Sequence, residues 1–263
     1  MRIGKMNNPM RDLLSEVRWI GKHRFDFLDL TLEPPNAHPD QIDIDSLREL
    51  IDRYRLEVIG HTAYYLPYAS PYKSLSEASI SELVKCMQFF DRLNVRKMAI
   101  HPDESLIDVW GRARALDRTI KMIKILAKEA ERFEIKLLIE NTSRLFNEVD
   151  ELDRLFSSVE GLGFLLDVGH ANLNTRENKT KLFLQHFIDK LEHVHLSDNM
   201  GGSADLHLPL GAGKIPWDRV IGWFKESGYD GTFTLEVFSR DYEYVLVSRE
   251  KLRMLWRSEP GGN

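Results

Sequence analysis

The chain of 263 residues has one cysteine, Cys86. One thiol forms no internal disulfide and no cysteine-based zinc site, so a reducing compartment suits it. No run reaches the ~18 consecutive apolar residues of a membrane span. The opening Met1-Arg2-Ile3-Gly4 leads into polar sequence without the apolar core of a signal peptide. These absences fit a soluble, cytoplasmic protein with no membrane partner. Basic residues are not in excess either. Lys and Arg number 36 against 41 Asp and Glu, a formal net charge of −5. That excludes a wholly basic nucleic-acid glove, though not a local basic cleft. No Pro/Gly/Ser-rich linker divides the chain, and a composition 43% hydrophobic and 29% charged supports an ordinary core.

What is present is alternation. Short apolar, β-rich runs occur at 2–4, 25–32, 57–63, 97–100, 136–140, 163–168, 191–196 and 232–237. Between them lie helical patterns. In 76–93, Ile80, Leu83, Val84, Met87 and Phe90 recur at three- and four-residue steps, and in 112–133, Ile120, Ile123, Leu126, Ala127 and Ala130 share a face. Shorter helical patterns cover 148–156 and 180–188, and Pro216 suits the first turn of another helix. Strands alternating with helices predict βαβ units and a parallel sheet. Eight such units predict one (β/α)₈ TIM barrel over residues 1–263. The rival doubly wound sheet needs a glycine-rich phosphate turn after its first strand, and Lys5-Met6-Asn7-Asn8-Pro9 contains none. The polar tail, 258–263, is expected to fray.

The residues that end these strands carry the chemistry. The runs close on His61, His101, Glu140, Asp167, His195 and Glu236. In a barrel such positions converge on the C-terminal face, where active sites of this architecture lie. Asp, Glu and His together occupy 50 of the 263 positions, about one in five, so chance poorly explains six such endings. Imidazoles mixed with carboxylates suit Zn²⁺, Mn²⁺, Co²⁺ or Fe²⁺ rather than Ca²⁺, which prefers oxygen alone. A bound cation also relieves the repulsion among converging carboxylates. Asp167-Val168-Gly169-His170 adds a donor just past a strand end. In Asp205-Leu206-His207, alternation would place both donors on one side of an extended loop. Asp198 is placed to orient His195 or to approach the metal.

These segments resemble the xylose-isomerase-like barrels, a superfamily of sugar isomerases, sugar epimerases and endonuclease IV enzymes. The matching segments are Ile59-Gly60-His61, Ala99-Ile100-His101-Pro102, Leu138-Ile139-Glu140-Asn141-Thr142, Leu165-Leu166-Asp167-Val168-Gly169-His170, His193-Val194-His195-Leu196-Ser197-Asp198, Asp205-Leu206-His207 and Leu235-Glu236. The epimerase branch implies one ion held by residues matching Glu140, Asp167, His195 and Glu236. The endonuclease branch implies three zinc ions on nine residues, matched by His61, His101, Glu140, Asp167, His170, His195, Asp205, His207 and Glu236. The expected cofactor is therefore one to three divalent ions, Zn²⁺ or Mn²⁺.

Two reactions follow. The first is isomerisation or epimerisation of a sugar or sugar phosphate. A metal-polarised carbonyl would acidify the neighbouring C–H, and Glu140 and Glu236 would move the proton through an enediolate. Tyr64, Tyr65, Tyr68, Tyr72 and Trp110 are candidate stacking rings, and Lys214, at the end of Gly211-Ala212-Gly213-Lys214, is a candidate phosphate contact. The second is zinc-dependent cleavage of DNA at abasic sites. It needs several Lys or Arg contacts to phosphate, whereas the loops after His61 and Glu140 offer only Lys73 and Arg144 nearby. Sugar chemistry is therefore the leading expectation.

Overall fold

The structure is a computed structural model and describes residues 1–258; the end of the tail expected to fray, 259–263, lies outside them. Eight parallel strands close into a barrel in chain order: β1 (Arg2–Met6), β2 (Phe27–Leu32), β3 (Glu57–Thr62), β4 (Lys97–Ile100), β5 (Lys136–Glu140), β6 (Gly163–Asp167), β7 (Leu191–Leu196) and β8 (Thr232–Leu235). Seven of the eight apolar runs in the sequence contain one strand each, β1 extends two residues past its run at 2–4, and β8 pairs back onto β1 from Arg2↔Thr232 to Lys5↔Leu235. The expected (β/α)₈ barrel is the observed fold.

Helices α1 (Leu13–Lys22), α2 (Ile44–Tyr54), α3 (Lys73–Arg92), α4 (Ile107–Trp110), α5 (Arg112–Glu131), α6 (Val149–Ser158), α7 (Thr180–Phe187), α8 (Trp217–Glu226) and α9 (Glu243–Arg257) occupy the connections. The periodicity above does not single out α1, α2 or α9. Two of them carry a local start signal: Asp12 accepts from the Ser15 amide at 2.8 Å, and Asp43 accepts from the amides of Asp45 and Ser46, each at 3.2 Å.

Two cores result. One is the continuous apolar layer between strands and helices, including Val17, Leu47, Phe90, Ile123, Leu155, Phe183 and Phe224. The other is a small cluster, Ala99, Leu138 and Leu165, fully buried inside the barrel. Below it, Lys97 pairs with Glu192 at 2.7 Å, and Lys136 also reaches Glu192. A barrel filled in this way leaves its C-terminal mouth for chemistry.

Interior packing is tight enough to dictate residue size. Gly4 on β1 sits opposite Phe27 on β2, and a Cβ there would collide with the buried phenyl ring. Gly4→Ala is predicted to cost about 1–3 kcal/mol by overpacking. Urea denaturation should show a lower midpoint with an unchanged slope; an unchanged midpoint would contradict this packing.

Candidate metal centre

Period-two alternation decides which side chains reach the mouth. Two residues beyond Ala99, Leu138 and Leu165 stand His101, Glu140 and Asp167, facing the lumen one layer higher. His195 follows His193 in the same way, and Glu236 follows Thr234. Glu140, Asp167 and His195 are fully buried, and His61, His170 and Glu236 nearly so.

The side chains meet. Nitrogen atoms of His61 and His101 each lie 3.2 Å from Glu140 Oε2, and His170 Nδ1 lies 3.1 Å from Glu140 Oε1. His195 Nδ1 is 3.2 Å from Glu236 Oε2 and 3.9 Å from Glu140 Oε1. His61, His101 and Glu140 offer donor atoms within 4.8 Å of one another, as do Glu140, Asp167, His195 and Glu236. Glu140 is common to both groups. Asp205 Oδ2 stands 3.0 Å from Nε2 of both His170 and His207, making a third group beside them. The loop there is not extended as expected. His207 has φ +44°, a left-handed backbone that turns its ring onto Asp205 while Leu206 stays exposed.

The donor chemistry fits a divalent cation. Ten buried side-chain polar atoms have no hydrogen-bond partner among the described residues, and six belong to this cluster: His61 Nδ1, His101 Nδ1, Glu140 Oε1, Asp167 Oδ2, His195 Nδ1 and Glu236 Oε2. Unpaired buried polar atoms are costly, and a cation is the partner that such a mixed N/O set serves. Burial opposes charge on each of these groups. It drives the Asp167 carboxyl up to about 7, with Glu140 and Glu236 adding to the rise, and takes the His101 imidazole down to about 4. On Glu140 the surrounding imidazoles outweigh burial and hold the carboxyl well below its ordinary range.

Above this floor lies a cavity of about 950 Å³, rimmed by Glu33, Tyr64, Tyr65, Glu104, Arg144 and Phe238. Arg144 is the single Lys or Arg among its lining residues, and its guanidinium pairs with Asp108 at 2.6 Å.

A family model described as xylose isomerase-like TIM barrel matches residues 17–257. The chain belongs to that family. A protein of uncharacterised function from Methanocaldococcus jannaschii is 27% identical over 265 residues, covering 92% of this chain and 84% of its own. A probable endonuclease 4 of Thermosipho melanesiensis is 26% identical over 201 residues, 67% of this chain and 69% of that protein. The crystal structure of a D-tagatose 3-epimerase-like protein superposes with a TM-score of 0.83 at 24% identity, covering 97% of each chain. At that identity the superposition speaks for the fold.

Within this xylose isomerase-like barrel, several residues singled out from the sequence lie elsewhere. Trp110 ends the short helix α4 and does not line the cavity. Tyr68 is buried, donating to the His101 carbonyl at 2.9 Å and accepting from the Asp103 amide at 3.1 Å, so it braces the end of β4. Tyr72 caps α3 at the surface. Lys214 is also away from the cavity lining. Its glycine turn is already bound to an anion, because Asp198 accepts from the Gly211 amide at 2.7 Å. Asp198 therefore does not orient His195. It also accepts from the amides of Asn199 and Ile215 and from Trp217 Nε1, at 2.8, 3.2 and 2.8 Å. A Cβ on Gly213 would collide with that carboxylate, so glycine is required there.

Two residues at the site were not read from the sequence. Asn141 clamps the end of β6, its Nδ2 donating to the Asp167 carbonyl at 3.0 Å and its Oδ1 accepting from the Asp167 amide at 2.8 Å. Asp29, inside β2, accepts from His195 Nε2 at 2.9 Å. Its signal was an acid in the middle of a wholly buried strand, a placement that demands a partner.

Asp198→Ala leaves four buried or half-buried donors without their acceptor. It is predicted to cost roughly 2–4 kcal/mol and to loosen the turn at 211–215. Chemical denaturation and hydrogen exchange of the Gly211 and Ile215 amides measure this; an unchanged exchange rate would contradict the anchoring role.

Proposed function

We propose that the protein is a divalent-metal-dependent isomerase or epimerase acting on an unphosphorylated sugar. The observation that carries this reading is the convergence of Glu140 and Glu236 around His195, beneath a cavity whose single lining arginine, with no lysine beside it, is already paired. Glu140, Asp167, His195 and Glu236 form the primary metal-holding set. His61 and His101 share Glu140 with it, and His170, Asp205 and His207 form a further group. A divalent ion bound there supplies Lewis acidity toward a substrate carbonyl, making the adjacent C–H acidic.

The chain's own residues do the rest. One of the two glutamates removes the proton from the carbon beside the carbonyl, and the other delivers a proton to complete the isomer. Burial around both carboxylates keeps bulk water from quenching the intermediate. Tyr64, Tyr65 and Phe238, at the rim, offer aromatic faces to the apolar side of a sugar ring. Among lysine and arginine side chains, a phosphate would find only Arg144 at the cavity, in competition with Asp108.

A second reading, zinc-dependent cleavage of DNA at abasic sites, is favoured by the nine-donor set and by relatives named probable endonuclease 4. The charge of the cavity weighs against it, since phosphodiester binding depends on several cationic contacts.

The purified protein loaded with Mn²⁺ or Zn²⁺ should catalyse C–H exchange with D₂O in a panel of free ketoses, and chelation should abolish the exchange. Glu236→Gln should lower kcat by roughly 10²- to 10⁴-fold, with the circular dichroism spectrum retained. Incision of an abasic duplex without exchange in any ketose would overturn the proposal.

A further inference from the structure

A second layer of polar groups lies beneath the metal centre, inside the barrel, where an apolar filling is the norm. Asp29, His193, His195 and Thr234 are fully buried, and Thr232 nearly so. Asp29 comes from β2, whereas its partners come from β7 and β8, so these contacts cross the lumen. Three donors converge on one oxygen, Asp29 Oδ2: His195 Nε2 at 2.9 Å, Thr234 Oγ1 at 2.7 Å and His193 Nε2 at 3.2 Å. His193 Nε2 is also 2.9 Å from Thr234 Oγ1, and its Nδ1 is 2.7 Å from Thr232 Oγ1.

We infer that Asp29 is a positioning residue of the metal centre, holding the His195 imidazole so that Nε2 carries a proton and Nδ1 faces Glu140 and Glu236. This inference rests on the metal-dependent reading above.

The hydrogens can be followed around the network. The Thr232 hydroxyl donates to His193 Nδ1, which leaves His193 Nε2–H to donate toward Thr234 and Asp29. The Thr234 hydroxyl donates to Asp29, and so does His195 Nε2–H. With a bare Nε2, His195 would set a lone pair against a carboxylate oxygen at 2.9 Å, two acceptors in contact in a dry interior. His193 and Thr234 hold the carboxylate, the carboxylate holds His195, and His195 presents Nδ1. A carboxylate behind a metal-binding imidazole fixes its tautomer and ring orientation, and losing such a partner typically weakens metal affinity.

Asp29→Leu, similar in shape, removes the acceptor altogether, whereas Asp29→Asn would keep a carbonyl oxygen able to take the place of Oδ2. With no acceptor at Nε2, the Glu236 carboxylate, 3.2 Å from Nδ1, draws the His195 proton to Nδ1, on the side where the metal is held. Zinc affinity, measured by competition with a chromophoric chelator, should fall ~10- to 100-fold while thermal unfolding stays cooperative. Thr234→Val, which removes one donor to Asp29, should give a smaller loss of zinc affinity, in the same direction.

Long-range ¹H–¹⁵N correlation on the chelator-treated wild-type protein gives a readout independent of metal and of activity. His195 Nε2 should be protonated, and its proton signal should disappear in Asp29→Leu. A bare Nε2 in the wild type overturns the inference, as does Asp29→Leu with unchanged zinc affinity and an intact Nε2–H. A purely structural Asp29 would lower the melting temperature and leave both readouts in place. Failure of the wild-type protein to take up zinc would defeat the metal-dependent reading instead, and the nitrogen measurement would still decide which nitrogen Asp29 holds.

Discussion

One fully buried carboxylate organises the upper barrel. Glu140 lies in contact with imidazole nitrogens of His61, His101 and His170 and shares donor geometry with Asp167, His195 and Glu236. A carboxylate in so dry a place is expensive unless cationic or donating groups surround it. Supporting contacts hold those groups in turn. The Tyr68 hydroxyl braces the His101 carbonyl, the Asn141 carbonyl oxygen meets His170 Nδ1 at 2.9 Å, and Asp29 meets His195. The centre is therefore built as a supported shell, and rigid placement of this kind is what metal binding and proton transfer at carbon both require.

The barrel explains how residues so distant in sequence meet. Eight strands point the same way, so their C-terminal ends share one rim, and a period of two selects the inward residue on each. Ala99, Leu138 and Leu165 fill the interior, and the next inward residues along the same strands, His101, Glu140 and Asp167, are the donors that converge at the mouth. Apolar floor and polar mouth are successive layers of one alternation. The Asp29–His193 network departs from that rule by placing a charged group beneath the mouth.

This layering also explains what was legible in the sequence. The eight strands were readable because each is a short apolar run, and the nine donors because they end those runs or follow them closely. The residues that support them were less visible. Asp29 sits mid-strand, and nothing local reveals that its partners lie 164 and 166 residues away. Loops were the weakest ground, since no periodicity tells where a loop side chain points. Loop position alone therefore marks Trp110, Lys214, Tyr68 and Asp198 as substrate or metal contacts, whereas in the structure Tyr68 and Asp198 brace the fold and Trp110 and Lys214 lie away from the cavity. Helices α1 and α2 declare themselves through the caps Asp12 and Asp43 as well as through an apolar stripe that includes Leu13, Val17 and Ile20 in α1 and Ile44, Leu47 and Leu50 in α2.

The most direct test of this account is anomalous diffraction at the zinc edge from crystals of the full chain grown with Zn²⁺. The account predicts a peak whose ligands include Glu140 and His195, the latter through Nδ1. A map without a peak at the barrel mouth, or an ion held by surface carboxylates while Glu140 remains paired only with histidines, would contradict it.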